Sequence, residues 1–255
     1  MALLQLGLIG RGIQHSKSPT LFAQKSTLGR TVSYRLFEVA STDGLPNLLA
    51  HTPEVQGYNV TVPYKQAIVS LCTQLVGAAQ TLQAVNTIWR PPHEPDQLMG
   101  YNTDVLGLAA TFKGWLPQQL GGTALILGTG GAARAVHYAL QEHPFESVCF
   151  VSRSPHRARI DHARVIDYKE AADRLPEARL LVNATPLGTW PHVEAMPPLA
   201  LAGLSPSTYV LDLIYNPQKT RLLHTAEAAG CPIQNGWGML KEQAEASWRI
   251  WTQAG

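Results

Sequence analysis

Apolar and polar positions alternate along this chain in two successive series, each switching between a two-residue and a helical period. In the first series, residues 3–9, 33–39, 56–62 and 84–90 have strand periodicity, and residues 19–28, 43–51 and 65–71 between them have helical spacing. Pro91-Pro-His-Glu-Pro95 is a turn-rich stretch, followed by one more short strand at 98–101. The pattern is helical over 104–116, and Gly121-Gly122 closes it. In the second series, 123–127, 147–151, 163–166, 180–183 and 209–214 are short apolar runs, as in strands buried on both faces of a parallel sheet. Helices are expected at 132–142 and 219–229. The last helical run, 239–251, holds Trp248, Ile250 and Trp251, and such a helix must fold back onto the first domain to bury that face. The prediction is two α/β domains joined by a helix around 104–116.

Composition narrows the function. The chain has 255 residues, 45% hydrophobic and 15% charged, which excludes a disordered protein. A formal charge of +2 without any basic run excludes a partner bound by phosphate neutralisation, so no nucleic acid is expected. Cys72, Cys149 and Cys231 lie far apart and do not have metal-ligand spacing, so no metal is expected, and Cys149 in its apolar run should be buried and inert. No apolar stretch approaches the roughly 18 residues of a membrane span. The expectation is a cytoplasmic monomer or homodimer with a small-molecule substrate and no membrane partner.

Residues 123–127 lead directly into Gly128-Thr-Gly130-Gly131-Ala132-Ala133-Arg134, a G-x-G-x-x-A pattern between a strand and a helix. Gly128 permits the tight turn, Gly130 lets the backbone approach a pyrophosphate, and Ala133 lets helix and strand pack closely. The helix N-terminus adds donors and positive potential. An NAD site places an acid at the tip of the next strand, about 20 residues on. Here that tip reads Ser152-Arg153-Ser154-Pro-His-Arg157, which suits a 2′-phosphate, so NADP is expected in a Rossmann-like domain.

Candidate chemistry in the first series centres on Gly57-Tyr-Asn-Val-Thr-Val-Pro-Tyr-Lys65. Asn59, Thr61 and Lys65 fall at or just beyond a strand end, where α/β sheets present groups to ligands. A lysine partly shielded there can exchange protons with a substrate; the alternative is a solvated residue opening the next helix. In His15-Ser-Lys-Ser18-Pro19, Ser18 suits an N-cap with proline following, while Ser16 is surplus to capping and could help hold a carboxylate. Asn86 and Asp104 could be turn or capping residues, or could join Lys65, with Asp104 orienting its amine.

Taken together, these motifs resemble the shikimate dehydrogenase family. They are His15-Ser-Lys-Ser-Pro19, Asn59-Val-Thr-Val-Pro-Tyr-Lys65, Ala84-Val-Asn-Thr87, Asn102-Thr-Asp104, Gly128 to Arg134, Ser152-Arg-Ser154, Asn183-Ala-Thr-Pro186, Asp212-Leu-Ile-Tyr215 and Gly236-Trp-Gly-Met-Leu240 with Gln243. They run in family order over nearly the whole chain. The resemblance implies NADP-dependent, reversible reduction of 3-dehydroshikimate to shikimate, toward aromatic amino acids. It implies a substrate-binding catalytic domain, residues 1–103 plus 236–255, and an NADP-binding Rossmann domain, residues 104–235, with closure of the cleft between them excluding water. Lys65 and Asp104 match the catalytic pair. Ser16 and Ser18 would hold the carboxylate, Asn59, Thr61, Asn86, Asp104 and Gln243 the ring hydroxyls, and Tyr215 would line the site. Cofactor contacts would come from Gly128, Gly130, Gly131, Ala132, Ser152, Arg153, Ser154, Arg157, Asn183, Thr185, Gly236 and Met239. The chain departs from the family pattern at Arg11-Gly12, Gln14, Val105 and Ser152. Two other readings use the same residues: a quinate/shikimate or related cyclic-acid dehydrogenase using NAD or NADP, and a non-catalytic NADP-binding regulatory protein.

Overall fold

A computed structural model of the chain describes residues 2–25, 30–158, 160 and 163–253, so the end of the helix expected at 19–28 lies outside the described residues. The chain forms two compact units, Met1–Gly107 with Lys241–Gly255, and Leu108–Leu240. The order of elements is β1 (Ala2–Gly10), α1 (Ser18–Ala23), β2 (Arg30–Glu38), α2 (Gly44–His51), β3 (Gly57–Val60), β4 (Gln74–Leu75), α3 (Ala78–Leu82), β5 (Thr87–Trp89), β6 (Met99–Tyr101) and α4 (Thr103–Trp115). There follow β7 (Thr123–Leu127), α5 (Gly131–Ala139), β8 (Ser147–Val151), β9 (Arg164–Ile166), α6 (Tyr168–Arg174), β10 (Ala178–Asn183), β11 (Tyr209–Asp212), α7 (Arg221–Ala228), β12 (Ile233–Asn235) and α8 (Trp237–Gln253).

In the first unit the sheet order is β2-β1-β3-β5-β6-β4. β1 runs parallel to β2 and β3, whereas β5 is antiparallel to both β3 and β6. The β5–β6 reversal follows from the short connection through Pro91–Pro95, which can join only antiparallel neighbours. Alternation of side chains across the strands then separates two cores. Ile9, Tyr58, Val60 and Ile88 bury one face against Leu45 and Leu49 of α2 and Ile68 of a 3₁₀ turn, Ala67–Leu71, which stands where a helix was expected. Leu4, Leu6 and Trp89 bury the other face against Phe22 of α1 and Ala244 and Trp251 of α8. The C-terminal helix therefore returns to the first unit. Trp251 donates its indole N–H to the Ile88 carbonyl at 2.9 Å and lies so close over Gly57 that a Cβ there would overlap the indole.

Arg90 is buried and donates to the carbonyls of Leu49, Thr52 and Val55 at 2.8, 2.6 and 3.2 Å. These are the end of α2 and the turn after it, where backbone acceptors lack helical partners and the helix dipole favours a cation.

In the second unit all six strands are parallel, in the order β12-β11-β10-β7-β8-β9. This is the doubly wound arrangement of nucleotide-binding sheets, with its switch point between β7 and β10. Leu125, Leu127, Cys149, Val151 and Leu181 pack with Ala171 of α6 and Leu222, Leu223 and Ala226 of α7. The alternate positions Ala124, Ile126, Phe150, Leu180 and Val182 are equally buried, as strands covered on both faces require. β12 and α6 were not anticipated from the pattern. Among the described residues, no helix is long and apolar enough to cross a membrane.

Arg90→Met would strand buried carbonyls at the end of α2. Each unsatisfied buried group costs about 1–3 kcal/mol, so urea unfolding should show a loss of about 3 kcal/mol.

Candidate active site

The polar centre of the first unit is built where β3, β5 and β6 meet the start of α4. Lys65 Nζ lies 2.6 Å from Asp104 Oδ2, with side chains 28% and 12% exposed, so the pair is shielded but reachable. Asn86 donates from Nδ2 to Asp104 Oδ1 at 2.8 Å. Its Oδ1 accepts the Thr103 backbone N–H at 2.6 Å and so caps the start of α4. Both carboxylate oxygens of Asp104 are therefore acceptors, one to an amine and one to an amide. An amine fixed in this way can pass a proton to an oxygen placed beside it.

Asn59 sits opposite Thr87 in the β3–β5 ladder, and both are buried. Its Oδ1 accepts from the Tyr34 hydroxyl at 2.8 Å, and its Nδ2 reaches Thr87 Oγ1 at 3.2 Å, Ser247 Oγ at 3.0 Å and the Asn86 carbonyl at 3.4 Å. The Asn59 amide protons thus face protein acceptors. Thr61 is half-buried just beyond β3, and its hydroxyl makes no hydrogen bond to the described residues. The side chain of Gln243, on α8, lies 3.4 Å from Thr103 Oγ1.

Near the N-terminus the expected N-cap is displaced. Ser18 is the first residue of α1 and is buried, and Ser16 Oγ accepts the Ser18 backbone N–H at 3.2 Å. Ser18 lies near Tyr34; burial pushes the Tyr34 phenol well above its ordinary range, and the neighbouring Ser18 opposes this in part.

In the second unit Gly128 leaves β7 with φ +104°, a conformation that L side chains rarely adopt, and Thr185 and Ala184 lie against it. Gly130 precedes α5 without a side-chain cap, and a Cβ at Gly130 or Gly131 would meet nothing within 4 Å. Ala132 is exposed on the first turn, whereas Ala133 is fully buried. The helix start therefore has no side-chain cap and leaves room beside its first two glycines, as close approach of a pyrophosphate would require. Beyond β8, Ser152 Oγ accepts the Ser154 N–H at 3.1 Å, and Arg153 and Arg157 are both exposed.

Asn183 and Thr185 are tied into the protein at the end of β10. Asn183 Oδ1 accepts from the Thr185 N–H at 3.0 Å and hydroxyl at 2.7 Å, while Nδ2 donates to Asp212 Oδ1 at 3.0 Å. Asp212 is fully buried. Burial raises its carboxyl above the usual range, against hydrogen bonds from Thr220, Ile214 and Asn183. Tyr215 follows, half-buried, its ring 6.2 Å from that of Trp237, and burial raises its phenol too. Met239 is half-buried on α8, and at Gly236 a Cβ would overlap the Leu213 carbonyl oxygen.

The motifs omitted Tyr34 and Ser247, and left Thr87 and Thr103 without roles. Ser247 had one local signal: Gln243, Ser247 and Trp251 recur every four residues on one face of α8, and all three are buried. Tyr34 had none, because its partners are distant in sequence.

A family model described as shikimate dehydrogenase substrate binding domain matches residues 8–88. A shikimate dehydrogenase (NADP(+)) from Nostoc sp. is 36% identical over 268 residues, covering 97% of this chain and 90% of its own. The crystal structure of shikimate 5-dehydrogenase from Thermus thermophilus, in complex with NADP(H) and shikimate, is 34% identical with a TM-score of 0.85, covering 98% of this chain and 94% of that one. Quinate dehydrogenase from Corynebacterium glutamicum, in complex with NAD, is 28% identical with a TM-score of 0.89, covering 99% and 95%.

The glycines differ in what they permit. Gly236→Ala should lower the melting temperature by several degrees, because the Leu213 carbonyl leaves no room. Gly130→Ala should leave it unchanged within about 1 °C, a contrast that differential scanning calorimetry would read.

Proposed function

The chain belongs to the shikimate dehydrogenase family, and on that premise we propose that it catalyses the reversible, NADP-dependent reduction of 3-dehydroshikimate to shikimate. The observation that supports this most directly is the 2.6 Å contact between Lys65 and Asp104, held on its other side by Asn86. When bound, NADPH supplies the hydride. In the reducing direction Lys65 Nζ gives a proton to the ring oxygen that was the carbonyl, and in the oxidising direction it takes that proton back. Asp104 keeps the amine in place and, with Asn86, Thr61 and Gln243, positions ring hydroxyls. Ser16 and Ser18 hold the carboxylate, and Tyr215 lines the site.

We assign the substrate to the first unit and the cofactor to the second. The open space beside Gly130 and Gly131 fits a pyrophosphate, with Gly128 and Ala132 completing the loop. Arg153 and Arg157, beside Ser152 and Ser154, fit a 2′-phosphate, because no acid stands at that strand tip to bind a free ribose hydroxyl. Asn183 and Thr185 shape the switch-point edge, and Gly236 and Met239 serve the nicotinamide end. We place the enzyme in the cytoplasm, as a monomer or homodimer.

The likeness to a quinate dehydrogenase with bound NAD gives a second reading. Steady-state kcat/KM for shikimate and quinate, each with NADP and NAD, separates the two, and shikimate with NADP should be the best pair. Lys65→Ala should lower kcat by about two to four orders of magnitude with a smaller change in KM, as for a lost general acid–base. Arg153→Ala should weaken NADP by at least about tenfold and leave NAD nearly unchanged, the ratio expected when a charge-assisted contact to phosphate is removed.

A further inference from the structure

Behind the Lys65–Asp104 pair lies a buried cluster whose hydrogen bonds can be given a direction. Asn86 Oδ1 accepts a backbone N–H from Thr103, a group that can only donate, so its Nδ2 must face Asp104. Asn59 is oriented just as firmly. The Asn86 carbonyl, 3.4 Å from Asn59 Nδ2, admits only a donor on that side, which leaves Asn59 Oδ1 to accept from Tyr34. Tyr34 is therefore the donor.

Between the two amides stand three hydroxyls. Thr87 Oγ1 and Ser247 Oγ are 2.8 Å apart, and Thr103 Oγ1 is 3.1 Å from each. Asn59 Nδ2 shares its two protons among Thr87, Ser247 and the Asn86 carbonyl. The Thr87 and Ser247 protons can go to each other, to Thr103 Oγ1, or to groups that only accept, Asn86 Oδ1 for Thr87 and the Gln243 carbonyl for Ser247. Thr103 Oγ1 in turn lies 3.2 Å from Asn86 Oδ1. Tyr34 thus donates to Asn59, Asn59 donates into the hydroxyl cluster, and Thr103 and Thr87 close the cluster on Asn86 Oδ1, while the Asn86 amide ends on Asp104. At its far end Tyr34 also meets Ser18.

We propose that Tyr34, Asn59 and Ser247 form an orienting network that fixes Asn86, and through it Asp104, with Ser247 as a positioning residue on the C-terminal helix. The proposal rests on the functional reading above, in which Ser18 binds the carboxylate and Asp104 serves proton transfer. The network then joins the two ends of the substrate site through the protein interior. It also gives Asn59 work other than touching a ring hydroxyl. Ser247 contributes a hydroxyl at the one place where Asn59, Thr87, Thr103 and the Gln243 carbonyl converge. A methyl there would remove the nearest acceptor of Asn59 Nδ2 and one hydrogen-bond partner each from Thr87 and Thr103.

The test uses the full chain with Ser247→Ala, Tyr34→Phe and Ser247→Thr. Phenylalanine at position 34 keeps the ring stacked on Phe22, now 4.6 Å away, and removes only the donor. Ser247→Ala and Tyr34→Phe should each lower kcat roughly 5- to 10-fold with KM for shikimate changed less than about twofold, the effect of one misdirected hydrogen bond. Ser247→Thr should restore at least half of the lost rate. In ¹⁵N spectra, the side-chain amide of Asn86 should shift and exchange faster in the first two variants and return toward the parent signal with threonine. Unchanged kcat and an unchanged Asn86 signal in both variants would overturn the proposal. So would a raised KM at constant kcat, which would mean ligand contact. If Ser247→Ala does not fold, Tyr34→Phe decides alone. If the parent turned over neither shikimate nor quinate, the functional reading would fail, while the Asn86 signal would still decide the network.

Discussion

A carboxamide in a protein interior needs donors on one side and acceptors on the other, and Asn86 meets that condition at the meeting point of three elements. Its oxygen holds the first N–H of α4, and its nitrogen holds the carboxylate at the second residue of the same helix. One side chain therefore caps the helix and aims Asp104. The cap satisfies an amide that would otherwise lie buried without a partner, so its orientation is fixed by the backbone. Lys65 then comes to a carboxylate that is already oriented. In the second unit Asn183 has a parallel part, binding Thr185 with its oxygen and buried Asp212 with its nitrogen. In both units a carboxylate sits on the nitrogen side of an asparagine at a strand end.

The two units prepare for ligands by different means. The first relies on side chains with several partners each, so a substitution there propagates. The second relies on backbone: a left-handed glycine at 128, an uncapped helix start at 130 and 131, and two arginines beyond β8. A cradle of main-chain donors changes little with neighbouring side chains.

The sheet of the second unit was legible because its strands are apolar throughout and its glycine motif lies in a strand–turn–helix context. β12 was not, since Ile233-Gln-Asn235 is three half-buried residues at an edge, too short to show a period. α6 carries a local signal in Asp167 with Glu170, whose N–H the Asp167 side chain accepts, but its seven residues are too few to show a helical period. In the first unit Lys65, Asn86 and Asp104 fell within recognisable motifs, although they are separated by up to 39 positions. The hydroxyl cluster was hidden for a physical reason. Ser247 meets Asn59 across 188 positions and Thr87 across 160, and no local pattern records pairings of that length. Ser18 misled for a smaller reason: the helix starts at Ser18 itself, with the Ser16 hydroxyl on its N–H.

The return of α8 to the first unit also gives assembly an order in time. The ribosome must make all of Leu108–Leu240 after the first 107 residues and before the segment that completes their fold. At about 5–20 residues per second the wait is on the order of ten seconds. During that interval the slot over Gly57 lacks its indole, and Asn59 lacks the serine it donates to. Nascent chains of this protein therefore carry the strands of the first unit for that interval without the helix that covers one face of their sheet.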